Sequence, residues 1–122
     1  MAKAKYVDGF VIPIKKNKVA AYQKIAKVAS KIWMKHGALD YYESVGEHLN
    51  IPGGVIPFTK MAKTKPGETV IFAWITYKSR AHRDSVNKKV MKDPAMQNFN
   101  PSDMPVTMNR MAYGGFKIIV SV

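Results

Sequence analysis

The chain contains no cysteine. Disulfides, thiolate nucleophiles and cysteine-ligated metals are therefore excluded, and a reducing, cytoplasmic setting is the expectation. Histidine is scarce: His36, His48 and His82 have no pairwise spacing suited to zinc or iron, and no carboxylates cluster with them. Neither a metal nor another cofactor is expected. No apolar run approaches a membrane span, and the opening MAKAKYVDGF has charge but no apolar h-region, so neither membrane insertion nor a signal peptide is expected. Ser44, Ser79 and Ser85 lie in no nucleophile elbow, and Gly53-Gly54 and Gly114-Gly115 lack the lysine and helix start of a phosphate loop.

Acid is also in short supply: 8 Asp and Glu stand against 20 Lys and Arg, a net charge of +12. Arginine is rare among those cations, occurring only as Arg80, Arg83 and Arg110. Geometric recognition of phosphates and bases leans on arginine's planar fork, whereas lysine is a hydrated point charge. No RNP-type aromatic motif, GXXG loop or arginine-rich segment is present. The excess predicts a solvated surface, or at most non-specific attraction to nucleic acid and other polyanions.

What is present is a core. Hydrophobic residues make up 47% of 122 positions, enough for a single domain, 1–122, that needs no covalent staples. The most strand-like stretch is Thr69–Tyr77, TVIFAWITY, rich in β-branched and aromatic residues. Alternation puts Ile71, Ala73 and Ile75 on one side and Val70, Phe72 and Trp74 on the other, so both sides need cover.

Around it the chain reads in order. Tyr6–Ile14 is a strand with Tyr6, Asp8, Phe10 and Ile12 on one face and Val7, Gly9 and Val11 on the other. Asn17 sits where an N-cap would, before a helix from about Lys18 to His36. That helix has an apolar arc through Tyr22, Ile25, Ala26, Ala29, Ile32 and Trp33, with Lys24, Lys27, Lys31 and Lys35 opposite as candidate polyanion contacts. His36 falls on the apolar side of the last turn, before Gly37, and reads as structural. Leu39–Gly46 is a second strand, His48–Phe58 a loop, and Thr59–Ala62 either a short strand or an extended approach. Lys65-Pro66-Gly67 turns the chain into Thr69–Tyr77. Ser79 caps a second helix, Arg80–Lys92, and Asp93-Pro94 opens a further short turn. An irregular stretch, Asn98–Asn109, leads to a last strand in Arg110–Val120. This βαββαβ series predicts an α+β, ferredoxin-like fold with a four-stranded antiparallel sheet and two helices on one face.

Two helices leave the other face bare. With Val7, Gly9 and Val11 grouped beside Ile71, Ala73 and Ile75 under the helices, the open face gathers Tyr6, Phe10, Phe72, Trp74 and Tyr113. Alternation alone also permits the inverse. Either surface exceeds what a soluble monomer tolerates wet, so a homodimer closed face to face is expected.

A polar set sits among these apolar elements. Asp8, mid-strand, needs a partner, and Arg83 and Arg110 are available. A structural ion pair is one reading. The other is a small-molecule pocket in which Asp8 or Glu43 acts as a base, Arg83 or Arg110 binds an anion, and Trp74 and Tyr113 stack on a planar ligand. His82 and Asn87, flanking Arg83 on the second helix, complete the candidates, and no catalytic residue is assigned.

A resemblance rests on YVDGFV at Tyr6–Val11, GAL at Gly37–Leu39, GETVIFAWI at Gly67–Ile75, RD..N at Arg83–Asn87, M.DP at Met91–Pro94 and RM.YGGF at Arg110–Phe116. Together these resemble the YbaA-like family of uncharacterised small proteins, over nearly the whole chain. The resemblance implies membership of the dimeric α/β-barrel superfamily, and hence the same dimer. It implies no established activity. Lys117 stands where relatives often have an acid after GGF, and Pro105–Asn109 reads PVTMN where they often carry a PFDGK-like segment. The leading expectation is a barrel that binds a small organic ligand, with cofactor-free oxygenase, isomerase or lyase chemistry suggested only by superfamily analogy. The alternatives are a non-catalytic interaction or stress-associated protein and weak RNA binding through the lysine face.

Overall fold

The computed structural model describes residues 3–122; Met1 and Ala2, which begin the stretch read above for a signal peptide, lie outside the described residues. Strands β1 (Tyr6–Lys15), β2 (Asp40–Val45), β3 (Glu68–Tyr77) and β4 (Ala112–Lys117) form one antiparallel sheet in the order β2-β3-β1-β4. Helices α1 (Val19–Lys35) and α3 (Arg80–Lys92) cover one face, joined there by the short α4 (Pro94–Gln97). This is the ferredoxin-like βαββαβ arrangement.

Local chemistry sets the element ends. The Ser79 hydroxyl accepts the His82 backbone N–H at 3.0 Å, and Asp93 accepts that of Ala95 at 2.9 Å ahead of α4, with Pro94 leading the helix. Gly37, at φ +111°, takes the left-handed conformation that ends α1. Asn17 does not cap: it lies in a 3₁₀ turn, Lys16–Lys18, and α1 starts at Val19 without a side-chain cap. The turn runs straight out of β1, pinned by the Lys16 N–H on the Gly67 carbonyl at 2.9 Å. Thr59–Ala62 is not a strand. Phe58–Met61 forms a one-turn helix, α2, and Phe58 packs against Phe72 of β3, both of whose edges are already paired with β2 and β1. The last strand is shorter than Arg110–Val120, since its ladder ends with β1 at the Tyr6–Lys117 pair.

Register corrects the pairing of faces. Asp8 lies opposite Ile75, Phe10 opposite both Ala73 and Tyr113, and Ile12 opposite Ile71. Directly paired residues share a face. Tyr6, Asp8, Phe10 and Tyr113 therefore lie beneath the helices with Ile71, Ala73 and Ile75, while Val7, Gly9 and Val11 join Phe72, Trp74, Tyr42 and Phe116 outside. Alternation within a strand cannot reveal this, because it says nothing of the offset between strands.

The helix-side core divides in two. Ile12, Ile14, Tyr22, Ala26, Ile71 and Ala73 pack at one end, and Ile32, Ala38, Ile75, Tyr77, Val86 and Val90 at the other. The thin apolar face of α3 suffices because Val86 and Val90 are almost wholly buried. The outer face is different. Tyr42, Phe72 and Phe116 are about half exposed, and the rings of Tyr42 and Trp74, Trp74 and Phe72, and Phe72 and Phe58 adjoin at 5.2, 5.4 and 6.0 Å.

Candidate functional site

Between the sheet, α1 and the segment after α4 lies a cavity of about 500 Å³. Phe10, Ile12, Ala73 and Ile75 form its floor; Ile25, Ala29 and Trp33 of α1 form one wall. The opposite wall comes from Met96 of α4 and, in the irregular stretch after it, Phe99, Met104 and Met108, with Met111 beyond. Methionine's flexible thioether fills irregular space and re-packs readily, which suits a binding wall. The small side chains of Ala26, Ala29 and Ala73 line it and leave it room.

One carboxylate interrupts the apolar lining. Glu43 of β2 accepts the Tyr22 hydroxyl on Oε1 and the Tyr41 hydroxyl on Oε2, each at 2.7 Å. Burial, and after it the Glu43 charge, push both tyrosines well above their ordinary pKa, so the phenols stay neutral donors. The same three side chains also line an adjoining groove of about 420 Å³ between α1 and β2, with Gln23, Lys27, Ser30 and Ser44. The cluster is thus a partition between an apolar chamber and a more polar groove. A carboxylate so placed can hold hydrogen-bond donors or accept a proton.

The other predicted site residues lie elsewhere. Asp8, 1% exposed, is paired with Arg83 at 2.8 Å and accepts the Tyr113 hydroxyl at 3.1 Å. Burial raises the Asp8 pKa, and the Arg83 charge only partly offsets it. Burial also works against the Arg83 charge, but Asp8, Tyr113, Asp84 and Tyr6 together outweigh it and lift the guanidinium's pKa. Tyr113 stacks on Phe10 at 4.9 Å, linking this cluster to the cavity floor. Asn87 accepts the Trp33 indole N–H at 3.2 Å. His82 Nδ1 accepts the Lys78 N–H at 2.9 Å; burial and then the Lys78 charge lower its pKa, as fits a neutral, structural ring.

Three expectations are corrected. Arg110 does not approach Asp8; it grips Glu68 with two hydrogen bonds of 2.7 and 2.9 Å, because it sits just before β4 at the end of the sheet where β3 begins. Trp74 and Tyr113 cannot flank one planar ligand, since they lie on opposite sheet faces. Nor do Asp8 and Glu43 share one pocket: Asp8 is sealed beneath α3, and of the eight candidates only Glu43 lines the cavity. Among the lysines, Lys24, Lys27 and Lys31 are exposed, while Lys35 contacts Asp93 at 3.0 Å. His36 also binds Asp93, at 2.7 Å, in keeping with a structural role.

Tyr22, Tyr41 and the methionine wall were missed as site residues. Tyr22 is legible in the sequence only as a core position on the apolar arc, Tyr41 carries no site signal, and Glu43 is a candidate without its partners. Their meeting at one carboxylate joins residues 21 positions apart, so no local pattern signals it. No group of three His, Cys, Asp or Glu among the described residues could hold a metal ion, and no described helix is long and apolar enough to cross a membrane.

Comparison with known proteins bears on the whole chain. Residues 5–108 match the family described as protein of unknown function (DUF1428). The "Uncharacterized protein YbaA" of Escherichia coli K12 is 40% identical over 117 residues, spanning 95% of this chain and 97% of the relative, and that of Shigella flexneri is equally similar. Two solved structures share the fold at TM-score 0.56. One, 15% identical, is an uncharacterised NIPSNAP domain protein from Burkholderia xenovorans, with 91% of each chain aligned. The other, 14% identical, is described as a dimeric ferredoxin-like protein from an uncultured marine organism, with 97% of this chain and 99% of that one aligned.

Proposed function

The chain belongs to the DUF1428 family, whose function is unknown, and from its own site we propose that the protein binds a small, largely apolar organic ligand in the cavity between sheet and α1. One observation carries this reading: a cavity of about 500 Å³ walled by apolar and aromatic side chains around a single fixed carboxylate. Ligand sites have this volume and this balance of many apolar walls with few placed polar groups.

We further propose that the chain pairs as a homodimer through the outer sheet face, leaving the cavity on the helix side of each chain. The chain's accessible surface is 8534 Å², against about 6,600 Å² for a compact monomer of its mass. The exposed rings of Tyr42, Phe72 and Phe116 and the exposed apolar tail Ile119, Val120 and Val122 contribute to the difference. One neighbour of this fold is itself described as dimeric.

The test uses N-phenyl-1-naphthylamine, a neutral dye that brightens in apolar surroundings, titrated into the protein. Saturable binding, abolished by Ala29→Trp with helical circular dichroism retained and kept by Phe72→Lys on the outer face, is the expected result. Absence of binding, or binding indifferent to Ala29→Trp, overturns the reading.

A further inference from the structure

The charge of the ligand follows from how this chain places its carboxylates. All eight are accounted for. Asp8 and Asp84 hold Arg83, Glu68 holds Arg110, and Asp93 holds Lys35 and His36. Glu47 and Asp103 are exposed, and Asp40 accepts the Thr76 hydroxyl at the edge of the outer face. Glu43 stands apart: it faces the cavity, its partners are two neutral phenols, and no described Lys, Arg or His forms an ion pair with it. In a chain with 20 Lys and Arg, cations are not scarce; none has been spent here.

The chemistry of that wall is specific. An ionised carboxylate accepts at about four lone-pair positions, and the tyrosines use two, leaving acceptor capacity toward the cavity. The tyrosines are held well above their ordinary pKa by burial and the Glu43 charge, so the cluster carries the single negative charge of Glu43. The aromatic walls agree with it. Phe10, Trp33 and Phe99 line the same space, and the negative face of an aromatic ring attracts an organic cation. Two lysines lie near this wall, Lys24 on the cavity lining and Lys27 on the adjoining groove; both are exposed, unpaired with Glu43 and screened by salt over roughly 8–10 Å.

Resting on the ligand-binding reading above, we propose that the cavity selects a hydrophobic organic ammonium: a protonated amine on an apolar body, its N–H donors on Glu43, its carbon skeleton against the aromatic rings and the methionine wall. The site thereby discriminates against carboxylate ligands of the same shape. Placing an anion beside Glu43 would set two like charges side by side on a largely apolar wall, with no cation paired to Glu43 to offset their repulsion.

The experiment is calorimetric titration at neutral pH of three probes with one chain length: n-octylammonium, n-octanol and n-octanoate. The expected order is ammonium tightest, alcohol intermediate, octanoate weakest. Glu43→Gln is expected to weaken the ammonium by about tenfold or more while leaving the alcohol within about twofold. The comparison within the native protein stands whether or not that variant folds. Equal binding of alcohol and ammonium, tighter binding of octanoate, or an ammonium preference that survives in folded Glu43→Gln overturns the proposal. With the neutral dye still bound, those outcomes remove the charge selectivity and leave the cavity reading intact. Failure of the dye and of all three probes removes both.

Discussion

Arg83 on α3 reaches Asp8 on β1 at 2.8 Å, across 75 positions of sequence. The carboxylate is 1% exposed, so the guanidinium is what makes its burial tolerable. Tyr113 completes the cluster, donating to Asp8 at 3.1 Å and accepting from Arg83 at 2.8 Å. This pair ties the second helix to the middle of the sheet, away from Glu43. Removing Arg83 alone strands the charge: Arg83→Met should cost about 3–5 kcal/mol of unfolding free energy in urea. Adding Asp8→Asn to that variant should recover part of the loss. A double variant no more stable than the single one would contradict this account of the pair.

Acid stability should depend on Glu68. Hydrogen bonds from Arg110, then the Lys65 backbone N–H, hold its pKa down to about 2, from an ordinary 4.5. A carboxylate depressed in the folded state contributes stability above its unfolded pKa and loses it as pH falls through the folded value. Between neutral pH and about pH 2 the urea midpoint should therefore fall, and Arg110→Met should flatten the part of that fall lying between 4.5 and about 2. An unchanged slope would reject this role for Arg110. Asp93, also depressed, through His36 first and then Lys35, adds slope of the same sign.

The Ser79 cap is a separable contribution. Its hydroxyl alone accepts the His82 N–H, and the residue is exposed, so Ser79→Ala changes little else. Stability should drop by about 0.5–2 kcal/mol in chemical denaturation. Ser79→Asp should restore most of it.

Sedimentation should report a dimer at micromolar concentration. Phe72→Glu, in the centre of the outer aromatic row, should yield folded monomers, because a charge there has no partner in the opposing face. A wild-type monomer with those rings in water would end the dimer proposal.

Binding of single-stranded RNA through Lys24, Lys27 and Lys31 should be weak and collapse with salt, at a slope of about −0.7 per phosphate contact. Salt-insensitive binding would point to a specific interface instead.

Much of the architecture was set by local pattern. The alternation of TVIFAWITY, the apolar arc of α1, the caps at Ser79 and Asp93 and the glycine at position 37 each act within a few residues, and together they prescribe a four-stranded sheet with too few helices to cover both sides. The tertiary structure alone decided the rest, because register and cavities arise between segments distant in the chain. The offset that sets Asp8 opposite Ile75 turned Phe10 and Tyr113 inward and sent Arg110 to Glu68. The same packing joined Tyr22, Tyr41 and Glu43 beside a methionine wall, where a polar strand residue became the one carboxylate of a largely apolar cavity.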